Sequence, residues 1–264
     1  MTVLQAIILG ILQGFTEFLP VSSSGHLVIL PFFLNWKMPA KEMFIFNVLV
    51  QIGTLVAVIF YFRKDLIAII SEFIKQLFNG TPFATVNARI GWLLVVATIP
   101  AGVIGIIFQD LVEASFSSPL VAGIALLITG LLMIIAEKFS QKIGATEDIT
   151  LLDAAIMGLM QSLALIPGIS RSGSTISGGM MRHLQRKSAA KFSFLMSVPI
   201  MLAAGLLSTY QMVTEVSDLA NFLPIMAIGF LTAMIVGYIA IRWLLSFLVN
   251  HSLLYFSIYC ILLG

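Results

Sequence analysis

The sequence predicts an all-α polytopic membrane protein: six transmembrane helices plus two re-entrant helical hairpins, arranged as inverted-topology repeats. Three observations lead there. The chain has 264 residues, of which 59% are hydrophobic and 10% charged, with mean hydropathy +1.07, whereas a soluble domain carries about 25% charged residues. Two pairs of apolar stretches, each joined by a serine–glycine turn and each too short to cross a bilayer, lie near 3–35 and 151–182. An offset of 148 residues lays the first pair on the second. One integral domain over 1–264 follows, with repeat one at about 1–136 and repeat two at about 150–264.

In chain order, residues 3–19 are apolar and helical, but about 17 residues ending in a polar turn are marginal for a crossing. Residues 27–35 are apolar again and too short to span. Together they read as a hairpin that enters the membrane and returns, with Ser22-Ser23-Ser24-Gly25 at its tip and a second helix opening near His26. Non-helical backbone at that depth is tolerated only where protein or a water-filled cavity surrounds it. A span is expected at 43–62, with Asn47, Gln51 and Thr54 as its polar members. Residues 66–78 read as amphipathic and interfacial, and Asn79-Gly80-Thr81-Pro82 as a turn. Further spans are expected at about 89–107, 119–136, 189–208, 221–241 and 252–264. Residues 151–166 and 174–182 form the second hairpin.

The offset is gap-free. It places Ala6 on Ala154, Ile8 on Ile156, Gly10 on Gly158 and Gln13 on Gln161, then Ser22 on Ser170, Ser24 on Ser172 and Gly25 on Gly173. Phe44 and Phe46 fall on Phe192 and Phe194. Chance similarity between two greasy stretches would not match Gln, Ser, Ser and Gly, so an internal repeat is the stronger reading.

Lys and Arg in the loops set the orientation. Arg63, Lys64, Lys75 and Arg89, then Lys138 and Lys142, then Arg182, Arg186, Lys187 and Lys191, and finally Arg242, fall on one side. The loops at 108–118 and 209–220 hold only the acids Asp110, Glu113, Glu215 and Asp218. With the basic side cytoplasmic, Lys37 and Lys41 are the exceptions. Hairpin one then enters from outside and hairpin two from the cytoplasm, so their tips can meet near the midplane, as substrate sites do in inverted-repeat membrane proteins. The basic residues show no nucleic-acid footprint. The single cysteine, Cys260, reads as core filler. With Lys37 the first basic residue, no cleavable signal peptide is expected.

The chemistry concentrates at the two tips. Glu17 is the one charge in its apolar surroundings, which makes it a functional candidate. Gln13, four residues earlier, shares its helix face. Pro20 ends that helix, and the serine turn offers free N–H groups for an anion. A plainer reading makes Pro20 a kink, the serines a cap and His26 a satisfied polar residue, but it leaves the convergence of carboxylate, hydroxyls and imidazole unexplained. The second tip reads Pro167-Gly-Ile-Ser-Arg-Ser-Gly-Ser-Thr175. Arg171 is the one Lys or Arg placed within an apolar hairpin, and its guanidinium suits phosphate or carboxylate. Ser170, Ser172, Ser174 and Thr175 add hydroxyls around Gly173. An Arg171–Glu17 salt bridge is the structural alternative, and Asn47 and Gln51 serve equally as interhelical hydrogen-bonders. His183 and His251 flank basic or interfacial segments and read as ordinary.

Gln13-x-x-x-Glu17, Pro20-x-Ser22-Ser23-Ser24-Gly25-His26 and Pro167-Gly-x-Ser170-Arg171-Ser172-Gly173-x-Thr175 resemble the signature motifs of the undecaprenyl-diphosphate phosphatase family (UppP, also called BacA). The resemblance runs along nearly the whole chain. It implies a bacterial cytoplasmic (inner) membrane enzyme that hydrolyses undecaprenyl diphosphate, recycles the carrier for peptidoglycan synthesis and confers bacitracin resistance. It also implies a divalent cation and an active site facing the periplasm. Many members have Glu where this chain has Gln13, so one carboxylate remains on that face. On this reading Glu17 and Gln13 hold Mg²⁺ or Ca²⁺, and Arg171 with the turn N–H groups neutralises phosphoryl charge. Ser23 or His26 attacks phosphorus, or His26 acts as base toward water or a serine. Ser22, Ser24, Gly25, Ser170, Ser172, Gly173, Thr175 and Gln51 bind substrate. The expected partners are the polyprenyl diphosphate lipid, membrane lipids and a second copy of the chain. The competing reading is a transporter or flippase of a polyprenyl phosphate lipid, for which inverted repeats and broken helices are also the architecture.

Overall fold

The computed structural model describes residues 1–36, 40–116, 118–215 and 219–264. Lys37 and Asp218, with the side chains of Lys41, Phe44, Glu113 and Glu215, lie outside the described residues. Helices α1 (Val3–Thr16) and α2 (Ser23–Phe33) make the first hairpin, and α8 (Leu151–Leu163) and α9 (Arg171–Met181) the second. Helix α1 opens on a capping box, in which the Thr2 hydroxyl accepts from Gln5 N–H and the Gln5 side chain accepts from Thr2 N–H; Thr150 and Asp153 open α8 the same way. Ser22 caps α2 by accepting from Gly25 N–H at 3.2 Å, and Ser170 caps α9 by accepting from Gly173 N–H at 3.0 Å. Thr2 and Ser22 stand to Thr150 and Ser170 in the same 148-residue register seen in the sequence. The caps also move the expected boundaries. Helix α2 opens at Ser23 rather than near His26, and α9 at Arg171 rather than 174, because a serine hydroxyl satisfies the first free N–H groups.

The long helices pack around the hairpins. Helix α1 runs along α11 (Leu219–Asn250), and α8 along α5 (Val86–Ile107). A Cβ built on Gly10 would stand 2.8 Å from the Gly229 carbonyl oxygen, and one on Gly158 2.6 Å from that of Ala97. Both short helices therefore meet a partner backbone at register-equivalent glycines, where a side chain would push the pair apart. Helices α3 (Ala40–Tyr61) and α10 (Arg186–Glu215) pack against one another, with Phe46 and Phe194 fully buried. Helix α4 (Arg63–Phe78) turns 79° from α3. Ile67, Ile70, Ile74 and Phe78 are exposed along one apolar face of it. The 108–118 segment contains a short helix, α6 (Gln109–Ser115), before α7 (Pro119–Phe139).

Among the described residues, four helices, α5, α7, α10 and α11, carry stretches long and apolar enough to cross a membrane, and the bent α3–α4 pair is a fifth if counted as one span. Helix α12 (Leu254–Leu263), expected as a span, has 10 residues, about 15 Å of helix against a hydrocarbon core of about 30 Å. The loops expected on the basic side gather at one end of the bundle through ion pairs. Lys191 meets Asp65 at 2.6 Å, Arg182 meets Asp153 at 2.6 Å, and Arg186 and Lys142 both meet Glu137 at 2.7 Å. Glu137 also accepts from Leu253 N–H at 2.8 Å, tying the start of α12 to the end of α7.

Candidate active site

The two hairpin tips touch. Ser24 Oγ accepts from Gly168 N–H at 3.4 Å, and Ser172 Oγ donates to the Leu19 carbonyl at 3.1 Å. Gly168 has φ of 98°, and a Cβ there would lie 2.2 Å from the Ala122 carbonyl oxygen, so this turn admits only glycine. Thr129 on α7 holds the second tip from behind: its hydroxyl donates to the Gly168 carbonyl at 3.1 Å and accepts from Ser170 N–H at 3.0 Å. The first tip is strained, since Ser22 sits at φ 67°, ψ 96°, a conformation costing a non-glycine residue about 1–3 kcal/mol.

Glu17 is the hub. Its Oε2 accepts from Gln13 Nε2 at 2.8 Å and from Ser23 Oγ at 2.6 Å, and its Oε1 accepts from Arg171 Nη2 at 2.9 Å. Arg171 Nη1 also donates to the Ser193 carbonyl at 3.4 Å. The Arg171 and Glu17 side chains keep 14% and 6% of their exposure, so the ion pair considered from sequence is formed, and it is nearly buried. Ser23 and Arg171 are each the first residue of their helix, α2 and α9, in the same 148-residue register. The two side chains thus project from equivalent positions on the two hairpins.

A cavity of about 200 Å³ opens at this junction, lined by Glu17, Ser22, Ser23, Ser24, Gln51, Ser170 and Arg171 among the expected residues. Gln161, seen in the sequence only as the register partner of Gln13, lines it too, and its Oε1 is buried without a partner. Apolar walls come from α6, the turn after α8, and α10, including Val112, Leu165, Ile200 and Met201. Five expected site residues brace the lining without joining it. Gln13 stands behind Glu17; Gly25 packs on Gly168; Ser172 pairs with Ser170 at 3.2 Å; Gly173 N–H serves the Ser170 cap; and Thr175 Oγ1 bonds the Arg171 carbonyl and Ser193 Oγ, both at 2.6 Å.

His26, expected to act as nucleophile or base, is not among the lining residues. Its Nδ1 faces the Ser22 carbonyl at 2.7 Å and its Nε2 faces the Tyr259 hydroxyl at 2.7 Å, so both ring nitrogens are engaged behind the tip. Tyr259 and Thr129 carried no signal in the sequence, being isolated polar groups in apolar helices. Gln161 was legible through the repeat.

Among the described residues no group of three or more His, Cys, Asp or Glu side chains comes together. The charged oxygen donor that the cavity offers a hard cation is the Glu17 carboxylate, and Gln13 Oε1, buried with no partner, lies behind it. That donor set suits a cation completed by substrate oxygens rather than an all-protein cage.

The family model of bacitracin resistance protein BacA matches residues 6–264. The chain belongs to this family. Proteins named undecaprenyl-diphosphatase from Chlorobaculum tepidum, Chlorobaculum parvum and Moorella thermoacetica are 41%, 43% and 41% identical to it. Each alignment covers all of this chain and 95%, 95% and 96% of the respective relative. Both tips lie within the matched residues.

Proposed function

We propose that the chain hydrolyses undecaprenyl diphosphate to undecaprenyl phosphate and inorganic phosphate, using the junction of the two tips. The observation that carries the mechanism is the 2.6 Å bond from Ser23 Oγ to the Glu17 carboxylate, with the Arg171 guanidinium on the other carboxylate oxygen. A hydroxyl on a carboxylate is an activated nucleophile. Ser23 Oγ attacks the terminal phosphorus and its proton passes to Glu17. The bridging P–O bond breaks, and undecaprenyl phosphate leaves. Water then attacks the phosphoserine, releasing inorganic phosphate and restoring Ser23. Arg171, already in the cavity wall, neutralises charge on the transferring group. Mg²⁺ or Ca²⁺, when bound, would draw on Glu17 and Gln13 and add positive charge beside the diphosphate. The cavity accommodates the head group, and the prenyl tail lies along its apolar walls toward lipid.

The same reading makes the fold an inverted repeat over about 1–136 and 150–264, supported by matched caps, matched glycines and the equivalent placement of Ser23 and Arg171. It sets the enzyme in the bacterial inner membrane, recycling the lipid carrier for cell-wall synthesis, and takes the homodimer as its assembly. The flippase alternative is not favoured, since transport needs no hydroxyl–carboxylate pair and the relatives are named as phosphatases.

Phosphate release from undecaprenyl diphosphate by the purified protein tests the function. Release is expected, with loss in EDTA and recovery on adding Mg²⁺. Rapid quench with labelled substrate is expected to leave an acid-stable phosphoserine that Ser23→Ala does not form; an acid-labile phosphohistidine would move the nucleophile to His26. Orientation has its own check. Val112 and Phe116, from the acidic 108–118 segment, line the cavity, so it faces the exterior on this reading. A cysteine replacing Asp110 should react with an impermeant thiol reagent in intact cells, and one replacing Lys138 should not. The reverse pattern would place the cavity on the cytoplasmic face.

A further inference from the structure

Helix α12 reaches the back of the first tip at two adjacent residues. The Tyr259 hydroxyl meets His26 Nε2 at 2.7 Å, and Cys260 Sγ donates to the Pro20 carbonyl at 3.6 Å. Ser257 anchors the same helix by donating to the Gly130 carbonyl of α7 at 2.8 Å. The arrangement mirrors the second tip, which Thr129 of α7 holds from behind. Each tip is therefore gripped by a hydroxyl from a helix outside its own hairpin.

Hydrogen-bond chemistry determines what Tyr259 does there. The Ser22 carbonyl can only accept, so His26 Nδ1 carries the hydrogen between them. Nε2 of the neutral ring is then an acceptor, and the Tyr259 hydroxyl donates to it. The two ring planes are parallel to within 4°, with centroids 5.6 Å apart. The carbonyl held by Nδ1–H belongs to Ser22, the residue at φ 67°, ψ 96°. Ser23 follows directly and must reach Glu17 at 2.6 Å. A strained peptide persists only where its surroundings over-determine it, and His26 supplies that constraint.

We infer that Tyr259 is a positioning residue for the Ser23–Glu17 pair: by donating to His26 Nε2 it holds the Nδ1–H tautomer, and that hydrogen clamps the strained Ser22 carbonyl. The inference rests on the phosphatase reading for its turnover consequences, but its geometry can be tested without turnover.

The test uses Tyr259→Phe, His26→Asn, His26→Gln and the Tyr259→Phe/His26→Asn double variant of the full chain. The asparagine side chain places an N–H near the Nδ1 position, and glutamine reaches instead toward Nε2. Tyr259→Phe is expected to lower kcat roughly tenfold with KM nearly unchanged, the size of one lost buried hydrogen bond. His26→Asn should keep more activity than His26→Gln. Adding Tyr259→Phe to His26→Asn should cost nothing further, because the hydroxyl then has no imidazole to orient. Multiplying losses in the double variant, or greater activity in His26→Gln than in His26→Asn, would overturn the inference. Independently of substrate, ¹⁵N-histidine NMR should show His26 protonated at Nδ1, with the Nε2 resonance shifting in Tyr259→Phe; a ring protonated at Nε2 in the wild type would also overturn it. Failure of the wild type to release phosphate while the NMR result holds would count against the function alone.

Discussion

Glu17→Gln is expected to lower kcat by about three decades, the middle of what a positioned general base contributes. The carboxylate is the acceptor for Ser23, Arg171 and Gln13 at once. An amide keeps one acceptor oxygen, takes no proton and presents an N–H to Ser23 or to the guanidinium. Two of the three contacts are thereby weakened or reversed. The variant also leaves the Arg171 charge nearly buried without its counter-ion, a change worth about 3–5 kcal/mol in other proteins. Single-turnover kinetics and thermal unfolding in detergent measure the two effects separately. Activity within tenfold of wild type, in a protein that unfolds normally, would remove Glu17 from the proton-transfer role.

Arg171→Lys is expected to cost two to three decades in kcat, corresponding to about 3–4 kcal/mol for one charge-assisted contact made in the transition state. Lysine keeps the charge but loses the planar fork that now spans the Glu17 carboxylate and the Ser193 carbonyl. Arg171 has two partners of unlike kind, and the substitution discriminates between them. If the guanidinium merely neutralised Glu17, an ammonium at the same place would serve nearly as well. Stability supplies the second half of the measurement. Arg171→Leu and Glu17→Gln should each destabilise the protein, and the double variant should recover much of the loss, because no unpaired charge is left buried. Near-wild-type turnover in Arg171→Lys would assign Arg171 to structure and leave the phosphoryl charge without its clamp.

The sequence by itself determined the membrane class, the hairpins and the repeat, because each has a local or periodic cause. Apolar runs of span length need no tertiary partner to be recognised. Gln13 and Glu17 share a face because they are four residues apart. Arg171 stood out because a cation inside an apolar hairpin demands an anion or a polar cavity. The 148-residue offset brought Gln161 into view before any coordinates did. It also related Ser23 to Arg171, but that equivalence acquires chemical meaning only when both prove to be first residues of their helices. Three consecutive serines offer three possible caps, and only the folded turn decides that Ser22 takes the role and frees Ser23 for Glu17. The fate of His26 lay further out of reach. Its imidazole meets a hydroxyl 233 residues along the chain, and no local pattern encodes a contact of that separation. The same holds for Thr129 and the second tip. Helix periodicity says which face of a segment is apolar; which polar atom a strained turn leans on is decided by whichever helix packs behind it.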